Sequence, residues 1–511
     1  MGYIKYGKQW LSPQEAVGIA TGSLLAGISQ ETRAHLRQNR GWVEEMARGP
    51  AAIYGINTGF GPLCDMRITA EQTHQLQHNL LISHAVGVGP ALAPLLVRLM
   101  MLTKVHALCK GYSGVRPQLV DRIVYFLDEG LYPLVPIQGS VGASGDLAPL
   151  AHLFLPLIGE GAFWDQGAIK PAKEVLAMHG LEALSLEAKE GLALINGTQF
   201  MLAHALLGLD RMQYLLDLAD LAGAMSLEGL QGSASPFRAE MHELRPFAGN
   251  QLVAQRLRAL LAGSENLASH QGCSRIQDPY SLRCLPQVHG ASRQAWQHLY
   301  DLTEIELNSV TDNPLILNES AAISGGNFHG QPLAMALDYA ALAAAELGNI
   351  ADRRCYLLLE GRFGLPRLLT RNGGLNSGFM IPQYTTAALV SENKSLCFPA
   401  SADSIPTSLG QEDHVSMGSI SGRKFNQILD NLEKILAIEL MYAAQAMEFR
   451  RPLTFSPILE GNLALIRSEV SFLEEDRLLK PDIDRMITWV QNRTFNTEIE
   501  AASPEHFSPS F

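Results

Sequence analysis

The run Gly139-Ser140-Val141-Gly142-Ala143-Ser144-Gly145-Asp146-Leu147-Ala148-Pro149-Leu150 leaves the fewest options open to this chain. It follows a Pro-bounded apolar segment, Leu131 to Pro136, gathers the smallest side chains, and passes directly into a helix start. Asp146 reads as the N-cap, Pro149 falls in the first turn, and Leu147, Leu150, His152 and Leu153 continue a helical rhythm. Anything carried on this loop faces the positive end of a helix. A phosphate-binding Walker loop needs Lys followed by Ser or Thr after its last glycine, and Gly145 is followed by Asp146. A hydrolase nucleophile elbow needs Gly two places after its serine, and that place is again Asp146. Two readings stay open: a glycine-rich turn capped by Ser144 or Asp146, and an unusual cyclisation open to Ala-Ser-Gly. In the second, the Gly145 amide nitrogen reaches the Ala143 carbonyl carbon, because neither residue carries bulk. Loss of two waters, one from Ser144, leaves an exocyclic methylene on an imidazolone, a strong electrophile.

The pattern Gly-Ser-x-Gly-Ala-Ser-Gly-Asp-Leu-x-Pro-Leu resembles the signature of the MIO (4-methylidene-imidazol-5-one) family of aromatic amino-acid ammonia-lyases and aminomutases. The resemblance implies an MIO group formed autocatalytically from Ala143, Ser144 and Gly145. It extends from about Tyr54 through His414, over six motifs in family order.

Composition is ordinary for a soluble protein. The chain has 511 residues, 47% of them hydrophobic and 18% charged, and its 39 basic and 51 acidic side chains give a net charge of −12. A net-acidic surface argues against nucleic acid as the main partner. Met1 to Lys8 holds no apolar core of signal-peptide length, and no uninterrupted run reaches the roughly 18 apolar residues of a membrane span. The six cysteines, Cys64, Cys109, Cys273, Cys284, Cys355 and Cys397, are scattered without a Cys-x-x-Cys pair, which suits reduced thiols in a cytoplasm rather than a zinc site.

Other motifs have ordinary readings as well as family ones. Ala51 to Gly61 is a turn-rich stretch around Tyr54; the resemblance makes Tyr54 the catalytic base, which requires neighbours that lower its pKa. A helix from about Ala70 carries His74, His78 and, at its end, Ser83-His84. His74 and His78 share a face as in zinc proteases, but Gln75 replaces the required Glu, so no metal is expected. The resemblance assigns Ser83 and His84 to the substrate ring, with His84 matching the histidine-type pair and predicting a polar ring. Asn196-Gly197 reads as a turn before a long helix; by resemblance Asn196 binds near the electrophile and the substrate amine. In Gln277-Asp278-Pro279-Tyr280-Ser281-Leu282-Arg283, an arginine near a helix start opposes the macrodipole and calls for an anion or exposure. A substrate carboxylate would match its guanidinium fork. The resemblance gives Arg283 that role, puts Tyr280 beside the electrophile, and adds Gln277 and Phe328 to the substrate contacts. Glu412 could merely favour a following helix; in histidine-type members a glutamate here reaches the imidazole.

Beyond Phe200 four long helices are predicted, near 199–229, 286–309, 331–360 and 420–450, the last from its i, i+3, i+4 apolar pattern. The Ala-rich stretch Ala334 to Ala345 allows close helix approach. The expected fold is mostly α, a long-helix bundle of the fumarase/aspartase-like superfamily. An N-terminal region, 1–200, carries the tyrosine and cofactor loops, and 201–511 forms the bundle and C-terminal helices. The resemblance further implies a homotetramer with shared active sites, an amino-acid substrate, and elimination of ammonia from L-histidine to give urocanate. A tyrosine ammonia-lyase, an aromatic 2,3-aminomutase and, from another class, a non-catalytic helical scaffold are the alternatives.

Overall fold

Helices dominate the architecture, and a few carry strong start signals. Ser12 forms a capping box with Glu15 ahead of Pro13–Thr21, and Ser29 caps Gln30–Arg48 by accepting from the Thr32 amide. The computed structural model describes residues 3–165, 168–272 and 275–499. Cys273, Met1-Gly2 and the tail from Ala501 to Phe511 lie outside the described residues. The four predicted long helices are Gln199–Gly229, Leu285–Leu307, Gln331–Leu359 and Gly418–Glu448. Strands are short and form only two- and three-stranded sheets among the described residues. The fold is therefore mostly α, as expected.

Two units interleave along the chain: Met1–Asp210, Leu299–Asp338 and Pro399–Lys424 form one, and Arg211–His298, Tyr339–Phe398 and Phe425–Phe511 the other. They are not consecutive halves of the sequence. In the first unit, Pro94–Leu108 is buried along nearly its whole length. The antiparallel pair Val88–Ala91 and Pro136–Gln138 joins the segment after Ser83-His84 to the segment before Gly139. One small sheet thus anchors both the segment after Ser83-His84 and the Ala-Ser-Gly loop by backbone hydrogen bonds.

In the second unit the core holds charge as well as hydrocarbon. Asp220, with no exposed surface, accepts from Arg256 Nε at 2.9 Å, meets His289 Nδ1 at 2.8 Å, and pairs with Arg293 at 2.5 Å. Fully buried Arg354 pairs with Glu439, which also accepts from Ser226 Oγ at 2.9 Å. Burying ions is costly unless each is paired and hydrogen-bonded, and here each is.

Gln331–Leu359 is long and apolar enough by length and composition to cross a membrane, although it holds no uninterrupted apolar run of that length. Of its most apolar window, 67% is buried within the protein, which marks a core helix.

Candidate active site

The Ala-Ser-Gly loop bends sharply at Ser144 and Gly145. Ser144 has φ 50° and Gly145 φ 76°, two successive residues in the left-handed region, which folds the segment back on itself. Gly145 cannot be replaced: a Cβ there would lie 2.1 Å from the Gly197 carbonyl oxygen. That close approach places Gly145 and Gly197 in a parallel bridge, with the Asp146 amide donating to Gly197 O at 2.8 Å. On the same side, Asn196 Nδ2 and the Gly197 amide both donate to the Ser144 carbonyl, at 3.1 and 3.3 Å. Asn196 Oδ1 is buried with no partner, an acceptor available to an ammonium group.

Asp146 stands at the N-cap position, but its carboxylate does not cap its own helix. It accepts from the Phe200 and Met201 amides at 3.1 and 3.0 Å and from Ser140 Oγ at 3.2 Å. It therefore caps the long helix Gln199–Gly229 and ties the loop to it. Complete burial raises its carboxyl to about 7, against the lowering effect of those three donors.

Glu412 reaches the same loop from the other side. Ser144 Oγ donates to its Oε1 at 2.7 Å, while Thr407 Oγ1 and Ser408 Oγ donate to Oε2 at 2.9 and 2.8 Å. Both carboxylate oxygens are thereby oriented. The turn Gly61–Leu63 packs against Ser408–Gly410 and brings the tyrosine loop to this carboxylate. Tyr54 is half-buried, accepts weakly from the Gly61 amide at 3.4 Å and stands edge-to-face with Phe60 at 6.4 Å. Burial raises the Tyr54 phenol above its ordinary value, the Gly61 bond opposes this, and the charges of Cys64 and Glu412 add to the rise. The lowering that a base at neutral pH requires is not supplied by these neighbours.

Ser83 Oγ and His84 Nδ1 are 3.0 Å apart. Burial holds the His84 imidazole below its ordinary value, against the Leu80 backbone bond and the Glu412 charge, so the ring is neutral at neutral pH. Phe328 is half-buried on the loop before Gln331–Leu359. Its neighbour His329 stacks on His414 at 5.7 Å, joining that loop to the segment after Glu412. The first unit thus brings Tyr54, the Ser83-His84 pair, Ala143 to Gly145, Asn196 and Glu412 into one region, with the Phe328 loop tied to it.

Gln277, Tyr280 and Arg283 form a separate group within the second unit. Arg283 donates from Nε to the Asp278 carbonyl at 3.0 Å, and its guanidinium lies 4.3 Å from the Tyr280 ring centroid. The Asp278 carboxylate is engaged by Arg275 and by the Ser233 amide, at 2.7 and 2.6 Å. Among the described residues Arg283 has no carboxylate partner. Gln277 and Tyr280 are exposed, and Gln277, Arg283, Arg275 and Gln287 help line a cavity of about 800 Å³.

Among the described residues no group of three or more His, Cys, Asp or Glu side chains could hold a metal ion. His74 Nδ1 instead faces the Leu186 carbonyl at 2.9 Å. Sequence reasoning missed Thr407 and Ser408, which carry no motif of their own. It also missed Lys104, whose signal was a lone charge in the mostly apolar run from Leu99 to Leu108.

Comparison with known proteins agrees with this geometry. The family described as aromatic amino acid lyase matches residues 11–468. A histidine ammonia-lyase from Symbiobacterium thermophilum is 49% identical over 495 residues, spanning 96% of this chain and 97% of that protein. The crystal structure of histidine ammonia-lyase from Trypanosoma cruzi superposes with a TM-score of 0.89 at 42% identity, covering 97% of this chain and 94% of that one. Tyrosine aminomutase from Streptomyces globisporus gives a TM-score of 0.91 at 35% identity, covering 97% and 98%. A match over most of the length, with the Ala-Ser-Gly loop, Asn196 and Glu412 held together in space, has one conclusion: this chain belongs to the aromatic amino acid lyase family.

Proposed function

We propose that this chain eliminates ammonia from L-histidine to give trans-urocanate, the first step of histidine breakdown. The observation that carries the reading is the Glu412 carboxylate, oriented by Thr407 and Ser408 and bonded to Ser144 Oγ. An acceptor fixed beside the Ala-Ser-Gly loop suits a substrate ring that bears an N–H, and a neutral His84 adds a second polar contact. The names of the relatives above point the same way.

The residues present fit an MIO group. Ser144 and Gly145 are already bent at positive φ, the Ser144 carbonyl has two donors, and Gly145 tolerates no side chain. Once formed from Ala143, Ser144 and Gly145, this group supplies the electrophile that ordinary side chains lack for expelling an amine. Asn196 Oδ1 receives the substrate ammonium. Tyr54 takes the β-proton, the least acidic group in the reaction. Ser83, His84, Glu412 and Phe328 hold the ring. Arg283 binds the carboxylate in two parallel hydrogen bonds, with Tyr280 and Gln277 beside it. We also infer a cytoplasmic homotetramer with sites shared between subunits. Its support is the exposed line Tyr339, Leu342, Glu346, Asn349, Arg353 and Tyr356 on a helix whose other faces are mostly buried, a 3-4 spacing suited to helix pairing.

The test is to incubate the purified protein separately with L-histidine, L-tyrosine and L-phenylalanine, following acrylate absorbance and released ammonia. Urocanate from histidine alone is expected, with Ser144→Ala inactive by more than about a thousandfold, over 4 kcal/mol of transition-state stabilisation. Turnover of tyrosine in place of histidine, or a β-amino acid product, would overturn the substrate or the reaction respectively.

A further inference from the structure

Lys104 lies behind the candidate site without an assigned purpose. It is 2% exposed in the apolar helix Pro94–Leu108, and its Nζ donates to the Asn196 carbonyl at 2.6 Å and to Gln199 Oε1 at 3.5 Å. Among the described residues no carboxylate stands within ion-pair distance of it. Asp312 is taken by Lys189 at 2.5 Å. A buried cation with no direct counterion is costly, and burial brings this ammonium down to about 7, with Asp312 opposing and Lys189 reinforcing that fall. Hydrocarbon would pack such a helix more cheaply, so the charge calls for a use.

The geometry gives it one. The Asn196–Gly197 peptide accepts from Lys104 at its carbonyl end and donates to the Ser144 carbonyl at its N–H end, at 3.3 Å. A cation on the oxygen of a peptide polarises it and strengthens its N–H as a donor. We propose that Lys104, acting through the Asn196–Gly197 peptide, is a positioning residue that stabilises negative charge on the Ser144 carbonyl oxygen while the ring forms from Ala143, Ser144 and Gly145.

This inference rests on reading that segment as the precursor of an MIO group. In the reaction the Gly145 nitrogen bonds to the Ala143 carbonyl carbon. The Ala143 oxygen leaves as water with the amide protons of Gly145 and Ser144, and the Ser144 hydroxyl leaves as a second water with the Ser144 Cα proton. No oxidant or reductant is consumed. Removing the Cα proton moves charge onto the Ser144 carbonyl oxygen, where the Gly197 amide and Asn196 Nδ2 converge. Donors aimed at developing charge in a dry site accelerate such steps by about 10²–10³ each, and Lys104 tunes one of them.

The test follows maturation by mass, independently of turnover. Full-length wild type, Lys104→Met, Lys104→Gln and Lys104→Arg are sampled at intervals after synthesis, with Ser144→Ala as the uncyclised reference and circular dichroism as the check of folding. The fraction of the Ser144 peptide lighter by two waters is measured. Met and Gln are expected to slow its appearance about tenfold or more, and Arg to restore much of the rate, because charge rather than hydrogen bonding alone is required. Maturation of Lys104→Met at the wild-type rate would overturn the proposal, as would full rescue by Gln. Should the Met variant not fold, the rate of Gln against Arg decides. A wild-type peptide of full mass would overturn the ring itself and the lysine's purpose with it, an outcome distinct from an unaffected Lys104→Met.

Discussion

Tyr54 and Arg283 show how a single side chain's surroundings set what it can do. A phenol raised by burial is almost entirely protonated at neutral pH, and only its anion can accept a proton. The active fraction therefore grows as pH rises toward the raised value. The kcat/KM profile is expected to climb on the alkaline side, and Tyr54→Phe should remove that limb together with most activity. A flat profile in the wild type would argue for another base. Among the described residues Arg283 has no carboxylate partner, and its planar fork suits two parallel bonds to a substrate carboxylate. Arg283→Ala should cost about 2–5 kcal/mol in transition-state binding, and Arg283→Lys most of that, because an ammonium is a single point charge. A loss below about tenfold in kcat/KM, 1.4 kcal/mol, would remove Arg283 from the site.

Elements decide where such residues stand. The start of Gln199–Gly229 is capped by Asp146 from another helix, so a long helix and the Ala-Ser-Gly loop share one anchor. In the second unit, helices are joined through Asp220, His289, Arg256 and Arg293. Burial alone would raise the Asp220 carboxyl, but Arg293, His289 and Arg256 hold it well below the ordinary 3.8. A depressed carboxylate stabilises the fold fully above its unfolded value and loses that contribution as pH falls through the native one. Asp220→Asn leaves buried Arg256 and Arg293 to share the partly exposed Asp217 and is expected to destabilise by about 3 kcal/mol at neutral pH. Denaturant titration of both proteins at neutral pH and near pH 3 checks this, since the difference should shrink on acidification.

For the whole molecule, the exposed apolar side chains are informative. Tyr339, Leu342 and Tyr356 are 48%, 56% and 53% exposed on a helix whose remaining faces are mostly buried. Water contact at such a seam is unfavourable, and a second copy of the chain would relieve it. Leu342→Glu is expected to shift sedimentation toward smaller species without loss of helical signal, and to lower activity in proportion if sites are shared. Unchanged sedimentation would argue against a subunit contact on this face.

Local chemistry wrote much of this protein plainly. Small residues with a following Asp specify the bent loop, and apolar spacing gives the four long helices nearly to the residue, because both depend on neighbours in sequence. Tyr54, His84 and Asn196 stood out only through the motifs that carry the family resemblance; local pattern alone reads them as turn and core residues. Tertiary structure alone decided what those residues touch. Ser144 and Glu412 are 268 positions apart, and nothing in either stretch encodes their hydrogen bond. The true partner of Asp146, the orientation of Glu412 by Thr407 and Ser408, and the place of Lys104 behind Asn196 arise only when distant segments pack and every buried polar group must find a partner.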